Sequence, residues 1–347
     1  MASFDVSANW TIRFPPAIRA AQKGGEELAL VIDTLRKHAG LNMALPALAD
    51  GSSPSLDGPL IALNAAPGEY RHGAFLWRLS PNRLEIFGAG GRGICNGIFD
   101  FLSALNLRWD APGAKCAVPR PLEGGMYLLA RKESRSPSPS SPVKRLVFTG
   151  KESGKSRERL IIWAARNRYD ALIFPLHFTA HKAGSRKSPF SLALDYDLPI
   201  ERGGRELSRL LPRRCFWFHR DMFRMERGKR IRAHHFCATN PRAIAVLRQE
   251  AERLFRACPG VSVFHLWPDQ GHEQTWCSCP SCRAFSPEEQ NRIAVNAAAE
   301  VLAHINPEAR LSYYERPNAL IDLEIWPNTF KLEDLPAVYR KRPGNTG

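Results

Sequence analysis

The second half of the chain alternates between short apolar runs and longer segments with helical periodicity. Runs rich in β-branched and aromatic residues predict five strands, at residues 145–149, 171–175, 215–219, 261–266 and 310–314. Apolar positions spaced three and four residues apart predict helices at residues 157–167, 205–211, 240–257 and 291–305. Alternation of strand and helix implies a parallel sheet with helices outside it, so the predicted fold class of this half is α/β.

The first half has a different pattern and predicts a small α+β domain over residues 1–130. Its predicted elements are a helix at 27–39 capped by Gly40, a strand at 60–63, a hairpin of 74–79 and 83–87, and a helix at 94–105. A glycine-rich turn at residues 88–93 precedes the last helix and invites a dinucleotide-binding interpretation. The spacing is not G-x-G-x-x-G, and no βαβ unit with a downstream acidic residue follows. A tight turn into a packed helix is therefore favoured.

A charged stretch rich in serine and proline, RKESRSPSPSSPV, separates the two halves at residues 131–143. This composition is typical of an exposed linker. The predicted domains are therefore residues 1–130 and residues 144–347.

The chain is strongly basic, with a net charge of +15, and its densest run of arginines lies between Arg202 and Arg232. Three interpretations remain open: a solvated basic face, a site for an anionic substrate or glycan, and a nucleic-acid surface. No RNP, zinc-finger or basic-zipper pattern supports the last of these. The chain shows neither a transmembrane run nor a secretory signal, so we expect a cytoplasmic protein whose eight cysteines are reduced or bind a metal.

Residues 261–282, VSVFHLWPDQGHEQTWCSCPSC, contain the densest chemistry in the chain. A predicted strand ends at Trp267, and the carboxylate of Asp269 follows it. A carboxylate at the carboxyl end of a strand is how (β/α) barrel enzymes build active sites.

Three thiols follow in a C-x-C-x2-C spacing: Cys277, Cys279 and Cys282. Thiols this close together can share one ion, and structural zinc normally has four ligands. Cys237 is the best fourth ligand because it precedes the helix that leads into the same strand, with His272 and His235 as alternatives. The competing interpretations are free thiols that pack a loop and a disulfide.

Several segments carry a resemblance to known families. The segment GAGGRGICNGIFDFLSALNLRWDAPG resembles the end of the N-terminal domain of bacterial alpha-glucuronidases and the related hexosaminidase-type accessory domain, with Asn106 in a position that is usually glycine. The segments RNRYDALIFPLH, FRMERGKRIRAHHFCATNP, FHLWPDQGHEQTWCSCPSC and NAAAEVLAHINPEARLSYYERP together resemble an uncharacterised bacterial family of glycosidase-like proteins, which joins such a domain to a TIM barrel. That family has Asp-Gly or Asn-Asp-Gly after the proline, whereas the order here is Asp269-Gln270-Gly271.

The resemblance implies an α+β accessory domain followed by an incomplete TIM-type (β/α) barrel, with about five of the eight strands of a closed barrel. We therefore expect a truncated, split or degenerate member, whose bare sheet edge a partner or missing segment would cover. The implied function is that of a carbohydrate-active protein that hydrolyses or binds an oligosaccharide or glycoside, including one with a uronic acid. The alternatives are a non-catalytic glycan-binding remnant and a zinc-stabilised nucleic-acid-binding protein.

The resemblance also places the acid of a glycosidase at the end of the fourth strand, which makes Asp269 the first catalytic candidate, followed by Glu315 and Glu273. A loop cap is the alternative role for Asp269. The candidate substrate contacts are Trp267, Trp276, His177, Tyr313, Tyr314 and Arg220. Aromatic rings would stack on sugars, and Arg220 would hold a uronate carboxylate, while core packing and a surface charge are the competing interpretations.

Overall fold

The computed structural model describes residues 2–51, 58–66, 72–136, 143–178, 188–269 and 275–313, together with the backbone of residues 329–330. Contacts divide the chain into two compact units. The first comprises residues 1–141, 152–170 and 180–199, and the second comprises residues 142–151, 171–179 and 200–347. The predicted domain boundaries at residues 130 and 144 stay a prediction, and two segments beyond them belong by their contacts to the first unit.

A six-stranded sheet forms the centre of the first unit. Its strands in chain order are β2 (Thr11–Phe14), β3 (Ala47–Asp50), β4 (Leu60–Ala65), β5 (Phe75–Ser80), β6 (Arg83–Gly88) and β8 (Glu133–Arg135). Across the sheet the order is β3-β2-β4-β6-β5-β8. A separate antiparallel pair joins β1 (Ala2–Asp5) to β7 (Met126–Leu129).

The predicted hairpin is confirmed as β5 and β6, which pair antiparallel from Phe75 and Gly88 to Ser80 and Arg83. Strand β8 pairs antiparallel with β5, so the first part of the predicted linker is instead an edge strand. Residues 137–142 of that stretch lie outside the described part of the chain.

The helices of the first unit are α1 (Arg19–His38), α2 (Gly90–Ala104), α3 (Gly154–Arg166) and α4 (Pro189–Asp195). The predicted cap of α1 is confirmed: Gly40 has φ 74°, and the Leu41 N–H donates to the Arg36 carbonyl at 2.8 Å.

Close packing requires glycine in the turn that leads into α2. A Cβ on Gly88 would lie 2.1 Å from the Ile94 nitrogen, and one on Gly93 would lie 2.3 Å from the Ala74 oxygen. The turn therefore fits a tight entry into a packed helix. Asn106, which follows α2, has φ 60°, a left-handed conformation that asparagine tolerates better than most residues.

The second unit is built on another six-stranded sheet, whose strands in chain order are β9 (Arg145–Val147), β10 (Ala171–Phe174), β11 (Ile200–Gly204), β14 (Val263–Leu266), β15 (Arg310–Ser312) and β16 (Thr329–Phe330). Across the sheet the order is β16-β15-β14-β11-β10-β9. The first five in chain order are parallel, and β16 is antiparallel to β15. A small hairpin of β12 (Met225–Glu226) and β13 (Lys229–Arg230) stands apart from this sheet. The predicted α/β class with about five parallel strands of a barrel-type sheet is confirmed.

The third parallel strand is not where the sequence pattern places it. The prediction of a strand at residues 215–219 is wrong, because Arg213–Trp217 forms a 3-10 helix there. The aromatic residues that favoured a strand face solvent, with Trp217 63% and Phe218 84% exposed. The real third strand is Ile200–Gly204, which contains a glutamate and two glycines, residue types that are depleted from strands in general.

The predicted helix at residues 205–211 is also wrong, since only the 3-10 turn Leu207–Leu210 forms in that region. Leu207 and Leu210 of this turn are fully buried in the apolar core of the second unit.

Two helices, α5 (Pro241–Arg256) and α6 (Pro287–Ile305), pack with one face of the second sheet, where Phe264, Leu266 and Leu311 join their apolar core. Side chains alternate between the faces of a strand, so His265 and Trp267 lie on the opposite, inner face. Among the described residues, no helix has both the length and the apolar character needed to cross a bilayer.

Candidate functional site

The parallel strands of the second unit bring polar side chains to the edge at which the strands end. His177 follows β10, Glu206 follows β11 and Asp269 follows β14. Tyr313 follows β15 directly, but it is buried in the apolar core with Phe264 and Leu311, and a sugar contact by this residue stays a prediction. Parallel strands share one carboxyl edge, and active sites of (β/α) proteins are built there. We refer to this region as the carboxyl edge.

Asp269 is held by three side chains. The Ser208 hydroxyl donates to Asp269 Oδ1 at 2.7 Å, and His234 Nδ1 lies 3.5 Å from Oδ2. The backbone N–H of Asp269 donates to His235 Nε2 at 3.1 Å. The Asp269 side chain keeps 20% of its surface exposed, so the carboxylate is oriented and remains accessible.

His235, which the sequence offered as an alternative metal ligand, is fully buried against Trp276. The two rings are stacked, with centroids 4.0 Å apart and planes 8° apart. Trp276 is only 5% exposed and also meets Phe236 edge-on. The structure thus places Trp276 behind Asp269 as support, and a sugar contact by this ring stays a prediction.

Glu206 is a second carboxylate at the carboxyl edge, and its side chain is only 9% exposed. It accepts a hydrogen bond from the Leu176 N–H at 2.5 Å, and His177 Nδ1 lies 2.6 Å from Oε1. Arg209 lies 3.5 Å from the same oxygen. These donors stabilise Glu206 as an acceptor and fix His177 beside it.

A cleft of about 500 Å³ opens at Glu206. His177, Ser208, Arg209 and Arg213 contribute to its lining. Ser208 therefore connects the cleft to Asp269 through its hydroxyl. Burial lowers the pKa of Arg213, and the nearby charge of Asp269 opposes that shift.

Sequence reasoning missed Glu206 because it assigned residues 205–211 to a helix. The signal that finds it is the pair Gly203-Gly204 directly before Arg205 and Glu206. Both glycines have positive φ, 121° and 120°, and end the strand with a turn that a side chain would oppose.

Trp267 and Arg220 have side-chain contacts with residues other than Asp269. Trp267 packs with Ile173 on the inner face, and its indole N–H donates to the Ser312 hydroxyl at 3.1 Å. The Arg220 guanidinium lies 5.5 Å from the centroid of the Phe216 ring. Glu273, Glu315, Tyr314 and His272 fall outside the described residues, and their roles stay predictions.

The run of arginines between residues 202 and 232 is largely engaged with the protein itself. Arg202 donates to the carbonyls of Leu176 and Phe178, at 2.9 and 2.7 Å. Arg213 donates to the Ser208 carbonyl at 2.8 Å. Much of this positive charge therefore holds loops of the second unit in place.

A second centre lies in the loops beyond the carboxyl edge and consists of four buried sulfurs: Cys237, Cys277, Cys279 and Cys282. All four sulfur atoms lie within 4.8 Å of one another. Cys237 Sγ is 3.6 Å from the sulfurs of both Cys279 and Cys282. The predicted grouping of Cys237 with the C-x-C-x2-C thiols is confirmed, and we refer to these residues as the thiol centre.

The surroundings of the thiol centre favour negatively charged sulfur. The Met225 N–H donates to Cys277 Sγ at 3.2 Å, and Arg230 Nη1 lies 3.8 Å from the same sulfur. Hydrogen bonds with Cys277 and Cys282 lower the pKa of Cys237, and the hydrogen bond with Cys237 raises the pKa of Cys277 and of Cys282, so the negative charge is favoured on Cys237. Gln290 fixes the loop by accepting from the Cys277 N–H and donating to the Cys277 carbonyl, both at 3.1 Å.

A buried triad of Arg145, Glu201 and His265 lies on the inner face below the carboxyl edge. Glu201 accepts two hydrogen bonds from Arg145, at 2.6 and 3.0 Å, and lies 2.7 Å from His265 Nε2. Burial opposes ionisation of Glu201, but the hydrogen bonds from His265 and Arg145 hold its pKa below the ordinary value. Burial lowers the pKa of His265, so the neutral ring donates to the carboxylate.

Comparison with solved structures shows the same fold in glycoside hydrolase family GH20. The chain matches the chitobiase of Flavobacterium johnsoniae with a TM-score of 0.55 and 12% identity, over 92% of this chain and 51% of that one. It matches a mutant Streptomyces plicatus beta-hexosaminidase in complex with its product GlcNAc with a TM-score of 0.52 and 14% identity, over 88% and 62% of the two chains.

A third match is the GH20 exo-beta-N-acetylglucosaminidase of Vibrio harveyi in complex with N-acetylglucosamine, with a TM-score of 0.50 and 14% identity, over 90% of this chain and 52% of that one. The chain spans about half the length of the Flavobacterium johnsoniae and Vibrio harveyi enzymes. Neither a protein-family model nor a curated protein sequence matches it. At these identities the similarity establishes the fold.

Proposed function

We propose that this protein is a carbohydrate-active, glycoside hydrolase-like protein that binds a glycoside at the carboxyl edge and cleaves it there. The observation that supports this proposal is the position of two carboxylates, Asp269 and Glu206, after adjacent strands, where Ser208 donates to Asp269 and lines the cleft that opens at Glu206. The fold shared with GH20 enzymes supports the same proposal, because the Vibrio harveyi and Streptomyces plicatus enzymes are both in complex with N-acetylglucosamine (GlcNAc).

Glycoside cleavage needs one group that protonates the leaving oxygen and a second that assists from the other side. Asp269 is the proposed acid, since it is both accessible and oriented by Ser208 and His235. Glu206 is held by the Leu176 N–H and by His177 and Arg209, which suits a carboxylate that accepts hydrogen bonds from sugar hydroxyls. His177, exposed beside it, is the proposed further sugar contact.

The cleft also favours a glycoside that carries a negative charge. Arg209, Arg213 and Arg253 line it, against the two carboxylates Glu206 and Glu250. An arginine binds a carboxylate in a forked, charge-assisted pair, so a uronic acid is a suitable sugar for this site. This agrees with the glycoside containing a uronic acid that the sequence analysis expects as a partner.

We further propose that the thiol centre binds zinc. Tetrahedral zinc at the usual zinc–sulfur distance separates its ligands by roughly 3.8 Å. The separations of 3.6 Å from Cys237 to Cys279 and Cys282 fit this geometry, and they are far longer than a disulfide. All eight cysteines are free thiols, which supports the predicted location in the reducing cytoplasm.

The function is tested by titrating the protein with an aryl N-acetylhexosaminide and an aryl glucuronide, following both binding heat and release of the aryl group. We expect saturable binding, with turnover lost in Asp269→Asn and binding weakened in Glu206→Gln. The matched control is Glu252→Gln, an exposed carboxylate paired with Arg256 on α5. Turnover that survives Asp269→Asn, or the absence of binding to either compound, would contradict the proposal.

A non-catalytic glycan-binding protein is the second candidate function. The same residues support it, because the hydrogen bonds that orient Asp269, from the Ser208 hydroxyl to its carboxylate and from its N–H to His235, serve binding as well as catalysis. Binding of a glycoside without release of the aryl group, abolished by Glu206→Gln, would identify this second function.

A further inference from the structure

The thiol centre is joined to Asp269 by a short series of direct contacts. His235 lies two residues before Cys237, and Trp276 lies directly before Cys277. The rings of His235 and Trp276 are stacked at 4.0 Å, and His235 Nε2 accepts the Asp269 N–H at 3.1 Å. The segment that contains Cys237 and the segment that contains Cys277 therefore contact each other through the His235 and Trp276 rings, and His235 contacts Asp269.

We infer that a metal ion in the thiol centre fixes the position of Asp269, with His235 as the positioning residue that transmits the constraint. This inference rests on the proposed zinc site and on the proposed role of Asp269. It assigns His235 a task other than metal ligation.

The contacts of His235 fit a positioning role better than a ligand role. Its Nε2 faces the Asp269 N–H and so carries no proton there, which leaves the ring neutral with its proton on Nδ1. The ring is fully buried and parallel to the Trp276 ring within 8°. A rotation of His235 would break both the stack and the hydrogen bond, so its orientation determines where the Asp269 backbone lies.

The neighbouring residue strengthens the hold of the same segment on Asp269. His234 has φ 62°, and its Nδ1 lies 3.5 Å from Asp269 Oδ2. The His234 carbonyl accepts a hydrogen bond from Arg213, whose guanidinium also donates to the Ser208 carbonyl. The segment at residues 234–237 therefore contacts Asp269 through both backbone and side chain.

A metal ion would be the strongest link between the two ligand segments. Cys237 belongs to the segment before α5, whereas Cys277, Cys279 and Cys282 belong to the loop before α6. Direct links between these regions are hydrogen bonds, such as the Ser278 N–H to the Met225 carbonyl at 2.9 Å. Four metal–thiolate bonds would lock the stack of His235 on Trp276 from both sides.

Hydrogen–deuterium exchange of the whole 347-residue chain tests the inference, with zinc content measured on each sample. The peptide at residues 263–269 reports on the Asp269 amide, and the peptide at residues 241–256 reports on the general integrity of the second unit. Removing zinc with a chelator should speed exchange of the first peptide by about 10-fold, the ratio expected when one net hydrogen bond is lost. The second peptide should change far less.

Two variants separate positioning from general support. His235→Phe keeps a ring on Trp276 but removes the acceptor, so exchange at residues 263–269 should rise while zinc content stays unchanged. His235→Gln restores an acceptor near the same place and should recover much of the protection. Cys116→Ser, a half-buried thiol of the first unit, is the matched control and should behave like the wild type.

The outcomes are distinguishable. Zinc-loaded protein whose exchange at residues 263–269 is unchanged by the chelator, or by His235→Phe, overturns the inference. Protein that binds no metal overturns both the zinc proposal and the inference. Glycoside binding is measured separately, so a failure of the proposed function is seen without affecting these results.

Discussion

Ser208 donates its hydroxyl hydrogen to Asp269 at 2.7 Å and thereby joins the loop after the third parallel strand to the carboxylate after the fourth. Ser208 is 5% exposed and lines the cleft beside Glu206. This residue therefore lies between the cleft and Asp269, and its hydroxyl is a direct partner of the Asp269 carboxylate. Its removal should affect Asp269 more than any other group.

We expect Ser208→Ala to lower the free energy of unfolding by about 1 kcal/mol, because a charged acceptor loses a buried donor. A double-mutant cycle with Asp269→Ala, measured by urea unfolding, should give a coupling energy of roughly 1 kcal/mol between the two sites. Ser103→Ala, at an exposed position of α2, is the control and should show no loss. Strictly additive effects of Ser208→Ala and Asp269→Ala would refute the link.

The thiol centre provides the second prediction. Purified protein should contain about one zinc ion per chain, and Cys279→Ser should lose it because three thiolates hold zinc much less well than four. The melting temperature should fall by at least about 6 °C, as a loss of roughly 3 kcal/mol produces in a unit of this size. Elemental analysis and calorimetry check both effects.

Cys116→Ser serves as the control for that prediction, since this thiol lies in the first unit and outside the centre. It should retain both zinc and melting temperature. The zinc proposal would be excluded if the wild-type protein contained no zinc as purified and a chelator did not change its melting temperature.

The sequence predicted the features that depend on neighbouring residues in the chain or on a distinctive residue type. The position of Asp269 follows from an apolar strand that ends in Trp267-Pro268, and the hairpin of β5 and β6 follows from plain alternation. The grouping of Cys237 with three thiols found 40 or more residues later succeeded because cysteines are rare and their chemistry is specific. In each case, the nature of the residues was itself the signal.

The features that the sequence did not reveal depend on pairing between distant strands. Strand β11 contains Glu201 and Arg202, whose charges argue against a buried strand until Arg145 and His265 are known to lie beside Glu201. Glu206 was hidden for the same reason, because its strand was not recognised. Trp217 and Phe218 were assigned to a strand by their type, although both face solvent.

Gly203 should be one of the least replaceable residues of the second unit. A Cβ at this position would lie 1.9 Å from the His265 carbonyl oxygen, and the residue has φ 121°. The obstacle is backbone of the paired strand β14, so neither strand can yield without breaking the sheet. We expect Gly203→Ala to destabilise the protein by about 4 kcal/mol or to prevent folding.

Gly228→Ala is the matched control for Gly203→Ala. Gly228 also has positive φ, 77°, but no atom lies within 4 Å of the Cβ that it would gain. Only the strain of the left-handed conformation then applies, about 1–2 kcal/mol. Equal losses of stability in the two variants, measured by urea unfolding, would show that the approach of His265 is not the cause.

The last prediction concerns the pH dependence that the buried triad of Arg145, Glu201 and His265 gives to the second unit. The pKa of His265 is lowered from 6.5 by burial, so the unfolded chain binds more protons than the folded one once the pH falls below about 6.5. Stability must then fall with decreasing pH. The pKa of Glu201 is lowered from 4.5, and its contribution is lost as the pH falls further, from about 4.5 towards its folded value.

Both groups therefore act in the same direction, and they act in separate ranges of pH. His265→Gln keeps a donor towards Glu201 but cannot titrate, so it should remove the fall in stability between about pH 7 and pH 5 and leave the fall below pH 4.5. Urea unfolding midpoints at pH 7.5, 6.0, 5.0 and 4.0 measure both parts. Because other histidines titrate in the same range, the informative quantity is the difference between wild type and variant. A difference that stays constant from pH 7.5 to pH 5.0 would mean that His265 is not held neutral by burial.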